Sequence, residues 1–242
     1  MLKFYYSPAA CSMAPHIALE ESGANFEAIP INILKRENFS PEFLAVNPKG
    51  FIPVLQTPDG IISENPAILL YIGMSFPEAG LLPRNDAFGA AEATSFNAFL
   101  SSAVHVTYRH ISRPRLFADG EAARLALLAK VPQMLGKYFG LIEERLSDGR
   151  EWVHGDRFSI SDPYLFVYAS YLFWKGDRGD PNAFPNVLRH RERVLARPAT
   201  QRALAREGVG DPAMFGRERT IMALDAEAFV RDVGVEGSIG CA

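Results

Sequence analysis

Two kinds of apolar pattern divide the chain, and the change falls near residue 77. Before it, hydrophobic runs are short and punctuated by turn residues. Leu2-Lys3-Phe4-Tyr5-Tyr6 is an aromatic-rich run that stops at Ser7-Pro8, which predicts a short buried strand feeding a loop. From about Ser12 to Ser22, Met13, Ile17 and Leu19 are spaced for one helical face, and Gly23 supplies a left-handed stop. Phe26 to Ile33 predicts a second strand; Pro30 has no N–H to give a ladder, which confines it to a sheet edge. A short helix is expected over Glu42 to Ala45, then a turn at Asn47-Pro48-Lys49-Gly50. Pro58-Asp59-Gly60 is turn chemistry between Val54-Leu55-Gln56 and Ile61-Ile62-Ser63, so these two strands should pair antiparallel. Asn65 is then expected to cap a helix whose first residue is Pro66 and which runs to about Ser75.

The order β-α-β-α-β-β-α therefore occupies residues 1–77, with 78–85 as a linker. Everything from 86 to 208 reads as an all-α helical bundle. Phe96, Leu100, Ala103 and Val104 form one apolar stripe, and Leu128, Val131, Leu135, Tyr138, Ile142 and Leu146 form another, within which Pro132 should kink or split the helix. Ser159-Ile160-Ser161-Asp162 is a capping-box pattern with Asp in the place of Glu or Gln. It opens the run Tyr164, Leu165, Phe166, Tyr168, Tyr171, Leu172, Trp174, apolar almost all round and hence expected at the centre of the bundle. Two shorter helices are expected near Asn186 to Ala196 and Ala199 to Glu207. Residues 209–242 carry Ile221, Met222, Leu224, Phe229 and Val230, enough apolar content to predict an extension packed on the helical domain.

Composition narrows the chemistry. A net charge of -3 and a pI near 6.0 give no general pull toward nucleic acid. The N-terminal apolar run meets Ser7-Pro8 at once, so neither a secretory segment nor a membrane span is expected, and the location expected is cytoplasmic. The two cysteines, Cys11 and Cys241, lie at opposite ends, which is neither a disulfide framework nor a metal-ligand spacing. Cys241 is expected to be an exposed, incidental thiol. Cys11 sits where a strand gives way to a helix, where unpaired N–H groups and the helix dipole should lower its pKa. The alternative is a small buried hydrophobe.

Four stretches, in order, resemble motifs of the soluble glutathione transferases: a thioredoxin-like domain joined to a helical one. Tyr5-Tyr6-Ser7-Pro8-Ala9-Ala10-Cys11-Ser12-Met13-Ala14-Pro15-His16 is similar to the N-terminal signature of the bacterial beta class. Asn47-Pro48-Lys49-Gly50-Phe51-Ile52-Pro53-Val54-Leu55 resembles the segment that sets a cis-proline beside glutathione, Phe99 to His105 resembles the helix bearing an active-site histidine, and Gly155 to Asp162 resembles the family's N-capping box.

The resemblance implies glutathione as co-substrate, no metal, a hydrophobic electrophile as second substrate, and a homodimer. It implies that Cys11 lies close enough to glutathione's sulfur to form a mixed disulfide. Tyr6, Ser12 and, more weakly, Tyr5 are hydroxyl candidates for stabilising the thiolate, although Tyr6 could be core and Ser12 a helix cap. His105 is the candidate from the helical domain, with a packed histidine as the alternative; His16 is expected to shape packing. Ile52, ahead of a cis Pro53, would pair through its backbone with glutathione as with an added strand. The helix start at Glu64-Asn65 would receive the γ-glutamyl carboxylate, with one donor fewer because of Pro66. Lys35 would pair with the glycyl carboxylate, or simply be solvated. Val106 stands where the beta-class motif usually has lysine, which removes a cation from the site. The function implied is conjugation of glutathione to hydrophobic electrophiles. The alternatives are a disulfide reductase or peroxidase working through Cys11, or a transferase-like binding module without turnover.

Overall fold

The computed structural model describes residues 1–83, 86–172 and 183–210. Trp174, Cys241 and the predicted extension beyond 210 lie outside them, as do residues 84 and 85 of the predicted linker. The first unit runs β1 (Leu2–Tyr6), α1 (Met13–Ser22), β2 (Phe26–Pro30), α2 (Pro41–Val46), β3 (Val54–Thr57), β4 (Gly60–Ser63) and α3 (Asn65–Ser75). The sheet order is β2-β1-β3-β4, with β1 parallel to β2 and antiparallel to β3, a thioredoxin-like arrangement. β2 is at the edge, as Pro30 requires, and β3 pairs β4 antiparallel from Val54↔Ser63 to Thr57↔Gly60. Strand alternation in β1 sends Phe4 and Tyr6 into the core and Tyr5 to the other face, where its hydroxyl donates to Gln56 Oε1 at 3.2 Å.

Helices follow: α4 (Ala87–Phe99), α5 (His105–Ser112), α6 (Glu121–Arg145), α7 (Asp162–Leu172), α8 (Pro185–Leu195) and α9 (Pro198–Glu207). α6 is continuous through Pro132 over 25 residues and is not split. Pro132 lies on the exposed face, where water can satisfy the carbonyl that a proline leaves without a donor. α7 is buried along nearly its whole length between α1 and α8, the central position that its apolar run demands. Its start is held by the Asp162 carboxylate, which accepts from the Ser159 N–H at 2.7 Å, Ser159 Oγ at 2.8 Å, the Val153 N–H at 2.8 Å and His190 Nε2 at 2.8 Å. A buried carboxylate with so many donors is fully paired.

One hydrophobic cluster joins sheet and bundle, running from Leu2, Phe4 and Met13 through Tyr164 and Tyr168 to Leu204. The sheet unit is thus fused to the helices through α1, which packs on both α7 and α9. Among the described residues no helix is long and apolar enough to cross a membrane, and no group of side chains could hold a metal ion.

Candidate active site

Three segments converge at the end of the sheet from which α1 departs. The first is the loop 7–12. Its turn is internally bonded: the Ser7 N–H donates to Ser12 Oγ at 3.1 Å, and Ser12 Oγ donates to the Ser7 carbonyl at 3.0 Å. Ser12 is therefore fully buried and its hydroxyl is spent within the loop; it occupies the N-cap position of α1 without a side-chain cap bond. Ala9 adopts a left-handed φ of 55°, an uncommon conformation for a residue with a Cβ. Both its backbone groups are held from behind, the N–H by Glu207 Oε2 at 2.9 Å and the carbonyl by the Tyr171 hydroxyl at 2.9 Å. The other oxygen of Glu207 meets His16 Nδ1 at 2.8 Å, with both side chains fully buried. Cys11, at the front of this clamped loop, is partly exposed, and its sulfur lies 3.8 Å from the Ile52 carbonyl.

Tyr6 points the other way. Its hydroxyl donates to the Arg206 carbonyl in α9 at 3.3 Å and its ring packs on His16, so it sits between sheet and helices. Burial raises its pKa, the nearby Glu207 raises it further, and Arg206 opposes them.

The second segment is 47–53, where the Ile52–Pro53 bond is cis. Asn47 Nδ2 donates to the Phe51 carbonyl at 2.8 Å and Asn38 Nδ2 to the Gly50 carbonyl at 2.9 Å, which fixes the loop. Gly50 has a φ of 64°, and a Cβ there would lie 2.8 Å from the Phe39 ring, so only glycine fits. Beyond the hairpin comes the start of α3. Asn65 is the first residue of that helix and Glu64 its N-cap, so the expected cap is displaced by one residue. The reason is the backbone of Glu64, whose φ of 74° makes the turn and whose carbonyl accepts from the Ile68 N–H at 3.0 Å. Asn65 is instead buried, and its amide partly offsets the rise that burial gives the Tyr164 phenol. Strain at an exposed polar residue beside an open helix end is a mark of a binding position. Glu64 also receives Lys49 Nζ at 2.7 Å, from the turn at Asn47-Pro48-Lys49-Gly50. Lys35 is exposed on the turn after β2, and its backbone N–H donates to Asn32 Oδ1.

The third segment is the helical wall. Between α4 and α5 the helix makes a π-turn at Leu100–Val104, closed by the His105 N–H donating to the Leu100 carbonyl. Such turns recur at functional sites because they re-aim the side chains that follow. The His105 ring lies 5.6 Å from that of Tyr168. Burial lowers the His105 pKa to about 4, helped by Arg109 and Arg113 and opposed by Glu64, so the imidazole is uncharged at neutral pH. Tyr168 donates to the Tyr164 hydroxyl at 3.3 Å, and burial holds both phenols well above the usual range, with the Cys11 sulfur adding to the effect. Tyr164, Tyr168 and His105 thus stand in one line along the wall. The two tyrosines were visible in the sequence only as core. Their spacing of four puts both on one face of α7, but nothing in the sequence sets that face against His105.

Family models confirm what this geometry suggests: residues 2–74 match the glutathione S-transferase N-terminal domain and residues 112–206 the C-terminal domain. The chain belongs to the glutathione S-transferase family. It is 30% identical over 209 residues to glutathione S-transferase GST-4.5 of Xanthomonas campestris pv. campestris, covering 86% of this chain and all of that one. It is 29% identical over 211 residues to glutathione S-transferase GstA of Escherichia coli O157:H7, with the same coverage. A Sulfitobacter glutathione transferase homologue solved with bound glutathione superposes with a TM-score of 0.79 at 32% identity, over 87% of this chain and 99% of its own. The bacterial beta-class transferase of Sphingomonas chungbukensis gives a TM-score of 0.73 at 35% identity, over 86% and 100%. The three segments supply a thiol, a cis-proline edge and a helical wall.

Proposed function

We propose that this transferase binds glutathione along residues 51–53 and conjugates its thiolate to a hydrophobic electrophile held against the aromatic wall. The single observation that carries the reading is the juxtaposition of the cis Ile52–Pro53 edge with Cys11 and the open start of α3. Glutathione would pair with the Ile52 backbone as an added strand, as peptides do on exposed edges. Its γ-glutamyl carboxylate would meet the Asn65 and Ala67 N–H groups, since Pro66 has none and the Ile68 N–H is taken by Glu64.

In the reaction, the thiol proton first passes to water, and the thiolate then forms a C–S bond while the leaving group departs with its electron pair. Neutral His105 would offer an N–H, rather than a counter-charge, to the thiolate before it reacts. Ser12 and Tyr6 have their hydroxyls engaged elsewhere, which leaves the fixed donors of the cleft to stabilise the thiolate. A cytoplasmic location and a homodimer accord with the family and complete this reading.

A second reading is favoured by one distance. The Cys11 sulfur, 3.8 Å from the Ile52 carbonyl, lies beside the backbone that would hold the cysteinyl unit, so thiol-disulfide exchange through a Cys11–glutathione disulfide is within reach. Retention on immobilised glutathione, followed by turnover of an aromatic halide and of a glutathione mixed disulfide in wild type and Cys11→Ala, tests both. Conjugation retained in Cys11→Ala supports the first reading. Disulfide turnover alone, lost in that variant, replaces it with the second, and retention without turnover makes the protein a binding module.

A further inference from the structure

Val106 leaves the helical wall without a lysine, yet the wall is not without a cation. Arg109 lies one helical turn beyond His105, and its charge contributes to the depressed basicity of that imidazole. Its guanidinium stands over two aromatic rings, Phe51 and Phe117, at 5.8 Å from each centroid. Arg109 is half-buried, and among the described residues it makes no ion pair and no side-chain hydrogen bond. Ring contacts hold a guanidinium through its flat faces and leave its N–H edges free for a carboxylate. A partly desolvated cation held in this way, with its donors unspent among the described residues, is arranged for an anion from outside.

The direction of the bound peptide says which anion. Val54 pairs with Ser63, so the Pro53 end of the edge lies beside the start of α3, where the γ-glutamyl carboxylate belongs. A strand added antiparallel with its cysteinyl unit at Ile52 must then carry its C-terminal residue toward Phe51. Phe51 is the residue under Arg109, and its position is fixed by the bond from Asn47. We infer that Arg109 receives the glycyl carboxylate of glutathione, taking the place of the cation missing at Val106. The inference rests on the glutathione reading above. Lys35, exposed on its turn, is then not required for that contact.

The test is calorimetric binding of glutathione and of its glycyl monoethyl ester, which needs no turnover and so stands apart from the assays of conjugation. Wild type should bind glutathione about ten-fold more tightly than the ester, the scale of one charge-assisted contact. In Arg109→Gln the ratio should fall to near one with the affinity for the ester unchanged. Arg109→Met, which keeps the packing between the rings, should behave alike and carries the test if the glutamine variant folds poorly. A ratio that survives in these variants overturns the assignment, as does an equal weakening of both ligands, which marks a structural role. A third arm compares the KM of a carboxylated and a neutral aromatic acceptor. A loss confined to the carboxylated acceptor, with the glutathione ratio intact, assigns Arg109 to the second substrate and overturns the inference as well.

Discussion

The loop that carries Cys11 has two sides, and they treat charge in opposite ways. Behind it, in the seam between α1 and α9, ionisable groups close on one another: Glu207 with His16, Glu20 with Arg202 and Arg206, and Glu21 with Arg197. In front of it, His105 and Arg109 make no ion pair among the described residues, and the strained Glu64, which meets the exposed Lys49, stands beside an open helix end. The seam spends its polar groups on holding the loop; on the proposed reading the cleft keeps His105 and Arg109 for a ligand. A buried, hydrogen-bonded pair specifies a position, whereas an unsatisfied group at a cleft is worth having only if something else satisfies it.

The largest effect should come from the seam. Glu207→Ala removes the acceptor of both His16 and the Ala9 N–H, and breaking a buried pair of this kind costs about 3–5 kcal/mol, read as a lower midpoint of denaturant unfolding. The cleft should answer differently. His105→Ala should reduce kcat/KM for conjugation by about a hundred-fold, the lower range for a positioned donor, while leaving the unfolding midpoint nearly unchanged. A large stability loss in that variant would place His105 with the seam.

The pH dependence sharpens the contrast further. His105 has a folded pKa of about 4 against an ordinary value of 6.5, so the unfolded chain takes up a proton that the folded one refuses. Its contribution to stability is whole above pH 6.5 and is lost as pH falls through 4. His105→Asn should therefore flatten the stability profile between those values, which thermal unfolding across the pH range would show. The smallest effect belongs to the outer seam: Arg202→Ala removes a half-exposed partner of Glu20 and should shift stability by no more than about 1 kcal/mol.

Much of this was legible in the sequence, for identifiable reasons. Turn chemistry at Pro58-Asp59-Gly60, the missing donor of Pro30 and the box at Ser159 to Asp162 are local devices, and each appears where the pattern places it. What escaped depends on distance along the chain. Glu207 reaches Ala9 across 198 positions, and nothing in either segment announces the other. Ser12 and Tyr6 have hydroxyls of the right chemistry, but their directions follow from the closing of the loop and from the placement of α9. Arg109 was hidden because its meaning lies in Phe51, contributed by the opposite unit of the fold. Asn65 was misplaced by one residue because a left-handed Glu64 is a tertiary choice that residue type does not forecast.

The most direct measurement of the central claim is a glutathione titration followed by the amide signals of the backbone and the Nε signals of arginine. Saturable changes should gather at Cys11, Ile52, Asn65, Ala67 and Arg109, with the α9 side of the seam around Arg202 and Glu207 left still. Saturable changes centred on α9, or none at the cis-proline edge, would contradict the division of the loop into a holding side and a binding side.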